Sequence, residues 1–103
     1  MLMPASTEDP PLIIYQAVSP NNDNQNDYWH IENITFGDRR NNSVKLFNRW
    51  GDLVWKGTNY DNNTIVFSGD DKNGNKLLTG TYFYVIEFSS GRKEERGFLS
   101  LKR

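Results

Sequence analysis

Between residues 21 and 27 the chain carries seven consecutive carboxamide or carboxylate side chains, which read NNDNQND. Oxygen atoms at alternating positions, as at Asp23, Gln25 and Asp27, suit a hard cation such as Ca²⁺, because that ion takes about six to eight oxygen ligands. If the loop binds Ca²⁺, the ligands that we would assign are Asn21, Asp23 and Asp27.

The same loop also has a purely structural interpretation. An EF-hand needs a Gly and a distal Glu, whereas this loop offers only two carboxylates, Asp23 and Asp27. Asn and Asp side chains also bond to nearby backbone amides and so form tight turns. The pattern therefore favours a self-bonded turn over a Ca²⁺ site, and it suggests no other cofactor.

Residues that could carry out catalysis are sparse. The single histidine, His30, lies on a predicted strand without an acid and a nucleophile nearby. The adjacent pairs Asp70-Asp71 and Glu94-Glu95 would point to opposite strand faces or into a turn, so neither forms paired carboxylates across a cleft. No Gly-rich phosphate loop leads into a helix. We therefore expect a protein that is not an enzyme.

Charge is unevenly distributed along the 103 residues. The first 38 residues hold six carboxylates and no Lys or Arg, and because the whole chain carries −1 the remainder carries +5. A net charge of −1 gives no support for nonspecific attraction to nucleic acid or to membranes. The basic residues of the last twelve positions suggest either ordinary solvated charges or a basic handle: Arg92, Lys93, Arg96, Lys102 and Arg103.

Cysteine is absent, which excludes disulfides and thiolate metal sites. No apolar run approaches the length of a membrane helix, so we expect no direct membrane insertion. Residues 1–11 show no signal peptide and are expected to be an added start and a linker before a single domain of residues 12–103. An exported role would therefore require the chain to be a piece of a longer precursor.

Short β-rich runs alternate with Asn, Asp and Gly clusters, which predicts an all-β fold. Gly51 and Asn73-Gly74 supply turn residues that tolerate a positive φ. We predict an immunoglobulin-like antiparallel β-sandwich of about seven strands. The predicted strands are residues 12–15, 28–34, 44–50, 53–55, 64–67, 81–88 and 94–101.

The predicted strand 81–88 is apolar on both faces, with Tyr82, Tyr84, Ile86 and Phe88 opposite Phe83 and Val85. Such a strand is either covered on both faces or faces the core on one side and a partner on the other. In the preceding hairpin we expect Trp50 to lie in the core and Arg49 to be exposed. An exposed Arg beside aromatic residues suits a protein partner.

Four ordered strings resemble a known family: SPNNDNQNDYW, VKLFNRWGDLVW, FSGDDKNGNKLLTGTYFYVIEF and RGFLSLKR. Together they are similar to the gliding-motility-associated C-terminal domain, the type B sorting domain of the type IX secretion system of Bacteroidota. The resemblance spans roughly residues 16–103.

This resemblance implies a function that composition does not show. Such domains terminate surface and secreted proteins, including adhesins of the gliding machinery. They fold in the periplasm and direct their cargo through the outer-membrane translocon to the cell surface or medium. The resemblance also implies translocon components and a PorP/SprF-type outer-membrane protein as partners, and the net charge gives no reason to expect nucleic acid.

A final strand can add to another sheet by edge pairing, and basic residues after it would meet an acidic acceptor. We therefore expect partner contacts at Arg49, Arg96, Phe98, Leu99, Leu101, Lys102 and Arg103. Two rival functions remain open. One is a Ca²⁺-dependent adhesive or carbohydrate-binding module, which is an analogy of fold alone, and the other is a structural spacer.

Overall fold

The computed structural model describes residues 9–21 and 25–103, so most of the predicted linker and Asp23 lie outside the described residues. The described part is all-β apart from one 3₁₀ turn at Gly37–Arg40, and it contains no helix long and apolar enough to span a bilayer. Its strands are β1 (Ile13–Ile14), β2 (Ala17–Val18), β3 (Ile31–Glu32), β4 (Asn42–Phe47), β5 (Leu53–Thr58), β6 (Gly80–Phe88) and β7 (Glu95–Leu101).

Two sheets form a sandwich, as predicted. The larger sheet has five strands in the order β2-β7-β6-β4-β5, and the smaller sheet pairs β1 with β3. All the pairings are antiparallel except one, because β2 runs parallel to β7. The sheet therefore departs from a purely antiparallel arrangement at one edge. There β2, which the sequence did not predict, lies beside the end of β7.

Alternation of side chains places one face of the larger sheet in the core. Tyr82, Tyr84, Ile86 and Phe88 of β6 are buried, and Val44 and Leu46 of β4 and Leu99 and Leu101 of β7 join them. Residues at every second position of a strand share one face, so these buried positions all point the same way. Phe83 and Phe98 point to the opposite face, as their alternation predicts, and remain about half exposed.

The second layer is largely irregular and is built around three buried aromatic residues, Trp29, Tyr60 and Phe67. Trp29 packs on Tyr84 of the large sheet, with ring centroids 5.1 Å apart. The Tyr60 hydroxyl donates to the Trp29 carbonyl at 2.5 Å and accepts the Phe67 N–H at 3.0 Å. Burial raises the pKa of Tyr60 above its ordinary value, so this hydroxyl stays protonated and able to donate.

Several predicted strands were wrong or too long, and residues 64–67 and 28–34 differ most. Residues 64–67 form no strand, although Phe67 still accepts the Trp29 N–H at 2.8 Å. Of residues 28–34 only Ile31–Glu32 pair as a strand. Asn33 has a positive φ of 66°, which interrupts the alternation and lets Ile34 turn into the core.

The predicted core position of Trp50 was also wrong, because this side chain is 72% exposed. Strand β4 ends at Phe47, so Trp50 lies in the turn and no longer follows the alternation of the strand. Gly51 has a φ of 85°, which confirms its predicted role in this turn.

Three loops share one hydrogen-bonding device, and they begin at Asn48, Asp61 and Asp71. In each loop the Oδ1 atom of the first residue accepts the backbone N–H groups two and four positions later, at 2.8–3.0 Å. The N–H of the first residue donates to the carbonyl four positions later, at 2.7–3.1 Å. The Asn and Asp residues that separate the strands therefore serve to close the loops.

A Gly97→Ala substitution should destabilise the fold. A Cβ atom at residue 97 would come 2.5 Å from the Tyr84 hydroxyl oxygen and 2.7 Å from Cζ, and the Tyr84 ring is held against Trp29. We expect a loss of about 1–3 kcal/mol in the free energy of unfolding, as for other overpacked cores. Urea denaturation would measure it. Gly80→Ala is the matched control, because nothing lies within 4 Å of its added Cβ. Equal effects of the two substitutions would contradict the steric explanation.

Stability should fall in acid because two loop carboxylates are held in the charged form. The Ile65 N–H, with that of Asn63, keeps the pKa of Asp61 below its usual 3.8. The Asn75 N–H does the same for the pKa of Asp71. A carboxylate whose pKa is depressed by folding contributes stability above its unfolded pKa and loses it as pH falls through the folded pKa.

We therefore expect the free energy of unfolding to decline as the pH is lowered from neutral to below 3.8. In a double variant, Asp61→Asn and Asp71→Asn, the Oδ1 acceptors remain but the titrating charges are gone. The free energy of unfolding of this double variant should decline less steeply as the pH falls. Its loops should still close, since Asn48 closes the third loop without a charge. Thermal unfolding across this range measures the slope. An unchanged slope in the double variant would refute the assignment.

Candidate functional site

The outer face of the five-stranded sheet carries a row of aromatic side chains across three strands. Phe47 of β4 pairs with Phe83 of β6, which in turn pairs with Phe98 of β7. Side chains that are paired across strands stand on the same face, so these three residues form one continuous row, which we call the phenylalanine row.

A second row runs beside the first and is more polar. Lys45 of β4, Val85 of β6 and Arg96 of β7 are paired in register. Lys45 forms a 3.6 Å ion pair with Glu87, and Arg96 bonds to Glu94 while keeping 70% of its side chain exposed. The two rows line a shallow groove of about 740 Å³.

The β4–β5 turn closes one end of this groove with a cation stacked on an aromatic ring. The Arg49 guanidinium lies 4.4 Å from the centroid of the exposed Trp50 ring. Asn48 and Arg49 also line a smaller groove beyond the turn, which reaches Leu78, an apolar side chain that is 82% exposed. Exposed Arg and Trp side chains are among those enriched at protein interfaces.

The predicted partner residues do not all lie together. Arg49, Arg96 and Phe98 line the groove. By contrast, Leu99 and Leu101 are fully buried core residues. Since β7 alternates, the side chains of Leu99 and Leu101 point into the core and cannot contact a partner while the sheet is intact. We therefore correct the expected roles of these two leucines.

The expected basic handle is largely engaged within the domain. Arg103 donates through Nε to the Leu77 carbonyl at 2.6 Å and through its guanidinium to the Gly69 carbonyl, and it lies 3.6 Å from Asp70. This docking is a correction to the expected role of Arg103 as a free basic group. Lys102 remains exposed, at the opposite end of β7 from Arg96.

Strand β7 was expected to be a free edge, but only part of it is. The Ser100 and Lys102 N–H groups donate to the carbonyls of Gln16 and Val18 at 2.9 Å, so β2 covers the final residues. In the described residues no strand lies beside β7 at Arg96 and Phe98 on the side away from β6. The open edge is therefore short, and it borders the groove.

Hydrogen bonds within the Asn/Asp loop support the turn interpretation. The Asp27 carboxylate accepts the Asn21 N–H at 3.2 Å, and Ser19 donates to the Asn26 carbonyl at 2.6 Å. Among residues 9–21 and 25–103, no three acidic or histidine side chains are placed to hold a metal. Because Asp23 lies outside this part of the chain, the Ca²⁺ site remains a prediction.

Among the groove residues that sequence reasoning missed are Lys45, Phe47 and Phe83. The alternation of residues 44–50 did separate Phe47 from Val44 and Leu46. What it could not supply was the register that sets Phe47 beside Phe83, because register depends on pairing between distant strands.

The family comparison decides the identity of the domain. Residues 12–101 match the model of the CHU_C type IX secretion signal domain. The chain belongs to this family. The expected resemblance is thereby confirmed, and the chain is a C-terminal sorting domain of the type IX secretion system, whose cargo is exported. Membership of a secretion signal family also points to a non-catalytic domain.

Among solved structures, a neighbour with a similar fold also comes from a type IX secretion system. It is PorZ, a surface component of the type IX secretion system of Porphyromonas gingivalis. PorZ aligns with a TM-score of 0.62 over 89% of this chain and 11% of its own, at 17% identity. At that identity the likeness shows the β-sandwich alone.

The curated relatives are C5a peptidases of Streptococcus pyogenes, including those of serotypes M3 and M18. Each is 28% identical over 102 residues, which cover 79% of this chain. The chain spans only 9% of the length of these peptidases. The similarity therefore concerns one small part of a much larger protein.

The docked position of Arg103 predicts a loss of stability when its side chain is removed. Arg103→Ala would leave the carbonyls of Leu77 and Gly69 without their charged donor. We expect a loss of about 1.5–3 kcal/mol in the free energy of unfolding, the usual range for hydrogen bonds to a charged group. Lys102→Ala is the neighbouring control and should leave the midpoint of urea unfolding unchanged. If both variants unfold alike, Arg103 does not anchor the loop at residues 69–77.

Proposed function

We propose that the domain directs its cargo through the type IX outer-membrane translocon, and that it is recognised as a folded unit through the groove. Family membership supports the sorting role, and the groove supplies a surface that no described segment covers. The aromatic and cationic side chains of that surface, Phe83, Phe98, Trp50, Arg49 and Arg96, are those that protein interfaces favour.

One observation carries the proposal that the folded domain is recognised. Phe47, Phe83 and Phe98 come from three different strings of the family resemblance, VKLFNRWGDLVW, FSGDDKNGNKLLTGTYFYVIEF and RGFLSLKR. They meet only through the pairing of β4, β6 and β7. A linear peptide cannot present this row, so a receptor that reads it must bind the folded sheet.

The finer steps of the route follow from the family resemblance. The domain would fold in the periplasm, engage a PorP/SprF-type outer-membrane protein together with translocon components, and leave the cargo at the cell surface or in the medium. A PorP/SprF-type partner would bind the groove and the turn at Arg49 and Trp50. Lys102, which is exposed, could make a peripheral contact.

Export of a fusion tests the proposal. A fluorescent protein with a signal peptide is placed before residues 12–103 in a gliding bacterium with the type IX system, and the candidate partner is co-expressed. We expect fluorescence outside the cell only when the translocon is present. Periplasmic retention of a folded fusion in the complete strain would refute the sorting role.

Phe83→Gln tests the groove within the same assay. Truncating a central interface aromatic typically costs about 2 kcal/mol of binding, so export should fall by about tenfold or more. The fold should survive, because the side chain faces away from the core. Phe36→Gln is the matched control, since Phe36 is 44% exposed and Phe83 45%, and Phe36 does not line the groove. Thermal unfolding verifies that both variants are folded. If the two variants are exported equally, the partner does not recognise the groove at Phe83.

A carbohydrate-binding function is the second candidate, because a separate groove is lined by exposed aromatic rings. His30 lies between Tyr15 and Tyr28, with ring centroids at 5.5 and 6.2 Å, and Asn26 and Asp27 line the same groove. Aromatic faces beside amide and carboxylate groups suit a sugar ring. Two results together would favour this function. The domain would bind a glycan and lose that binding in Tyr28→Ala, and export of the fusion would not depend on the translocon.

A further inference from the structure

The open part of β7 presents backbone groups in a defined direction. Ser100 and Lys102 donate their N–H groups sideways to β2. Residues two apart in a strand direct their backbone groups to the same side, so Arg96 and Phe98 direct theirs to that side too. Strand β2 is absent there because the chain leaves the sheet before Gln16. The Tyr15 N–H instead pairs with His30, next to the smaller sheet.

The side chains at this open edge are the last members of the two rows. Phe98 ends the phenylalanine row, and it is 54% exposed. Arg96 ends the row of Lys45 and Val85. A strand added beside β7 would therefore extend each row by one side chain, and those two side chains would lie two residues apart on the added strand.

The charge of the groove indicates which side chains the added strand would carry. Three cationic side chains line the groove, Lys45, Arg49 and Arg96, against one carboxylate, Glu87. Arg96 bonds to Glu94 but keeps 70% of its side chain exposed, so a carboxylate on the added strand would be attracted to it, whereas a basic segment would be repelled by the excess of cations. Beside Phe98, an apolar side chain would bury area against an exposed ring.

We propose that the partner supplies an extended segment that pairs with β7 at Arg96 and Phe98, and that this segment carries an acidic and an apolar residue two positions apart. The inference rests on the proposed function, since it specifies what the partner places in the groove. Backbone hydrogen bonds would give the segment its affinity, and the two side chains would give it selectivity.

A synthetic peptide tests this chemistry without the secretion system. The probe is a capped nine-residue peptide with Glu and Ile two positions apart on one face and Thr on the other. It is titrated into ¹⁵N-labelled domain, and amide shifts and hydrogen exchange are measured by NMR. We expect the largest shifts and slowed exchange at Arg96 and Phe98.

Two control peptides separate the contributions. A peptide with Lys in place of Glu should bind about threefold to tenfold more weakly at low salt, because attraction to the groove becomes repulsion. An N-methylated peptide, which cannot pair, should cause no shift at the edge. Among domain variants, Arg96→Pro should abolish pairing by removing the N–H, whereas Arg96→Ala should weaken binding and still pair.

The outcomes distinguish this inference from the proposed function. No edge shifts with the Glu peptide, or equal binding of the Lys peptide, overturn the inference even if the fusion is exported. Edge shifts with a fusion that stays in the periplasm support the surface chemistry and refute the sorting role. Concentration-dependent edge shifts without peptide would show that a second copy pairs there, and they would also overturn the assignment.

Discussion

The hydroxyl group of Tyr60 holds together the irregular second layer of this small sandwich. It links the carbonyl of Trp29 to the N–H of Phe67, two segments that do not pair as regular strands. The smaller sheet contributes only four residues, so side chains must satisfy backbone groups that a longer sheet would pair. A buried donor or acceptor without a partner costs about 1–3 kcal/mol. Among the described residues, no buried side-chain polar atom is left without a hydrogen bond.

The small number of residues outside the large sheet also explains why that sheet has one covered face and one open face. The segments around Trp29, Tyr60 and Phe67 are used to cover the inner face of β4, β6 and β7, and the described chain offers nothing to cover the other. Apolar residues on that outer face, such as Phe83 and Phe98, therefore do not contribute to the core. Exposed apolar area brings no folding stability, so their presence is better explained by a contact outside the domain.

Residues whose environment is set by local alternation were predictable. The inner and outer positions of β6 and β7 followed the period of two, and Gly51 and Asn73-Gly74 marked their turns. Prediction failed where the position of a side chain depends on a single backbone angle or on a contact with a residue distant in the sequence. Asn33 breaks the alternation through its positive φ, Trp50 falls just beyond the end of β4, and Arg103 docks on carbonyls more than twenty residues away. No pattern along the chain reports such contacts. The assembly of Phe47, Phe83 and Phe98 likewise depends on register.

A recognition surface that exists only in the folded sheet links sorting to folding. A receptor binds the folded fraction, so the apparent affinity falls only in proportion to that fraction. For a domain with the usual stability of about 5–15 kcal/mol, a loss of about 2 kcal/mol leaves nearly every molecule folded. Moderate destabilisation, through the core at Gly97 or through the docking of Arg103, should therefore change unfolding without changing recognition, whereas a change at Phe83 should do the reverse. Stability and recognition are thus carried by opposite faces of the same three strands, β4, β6 and β7.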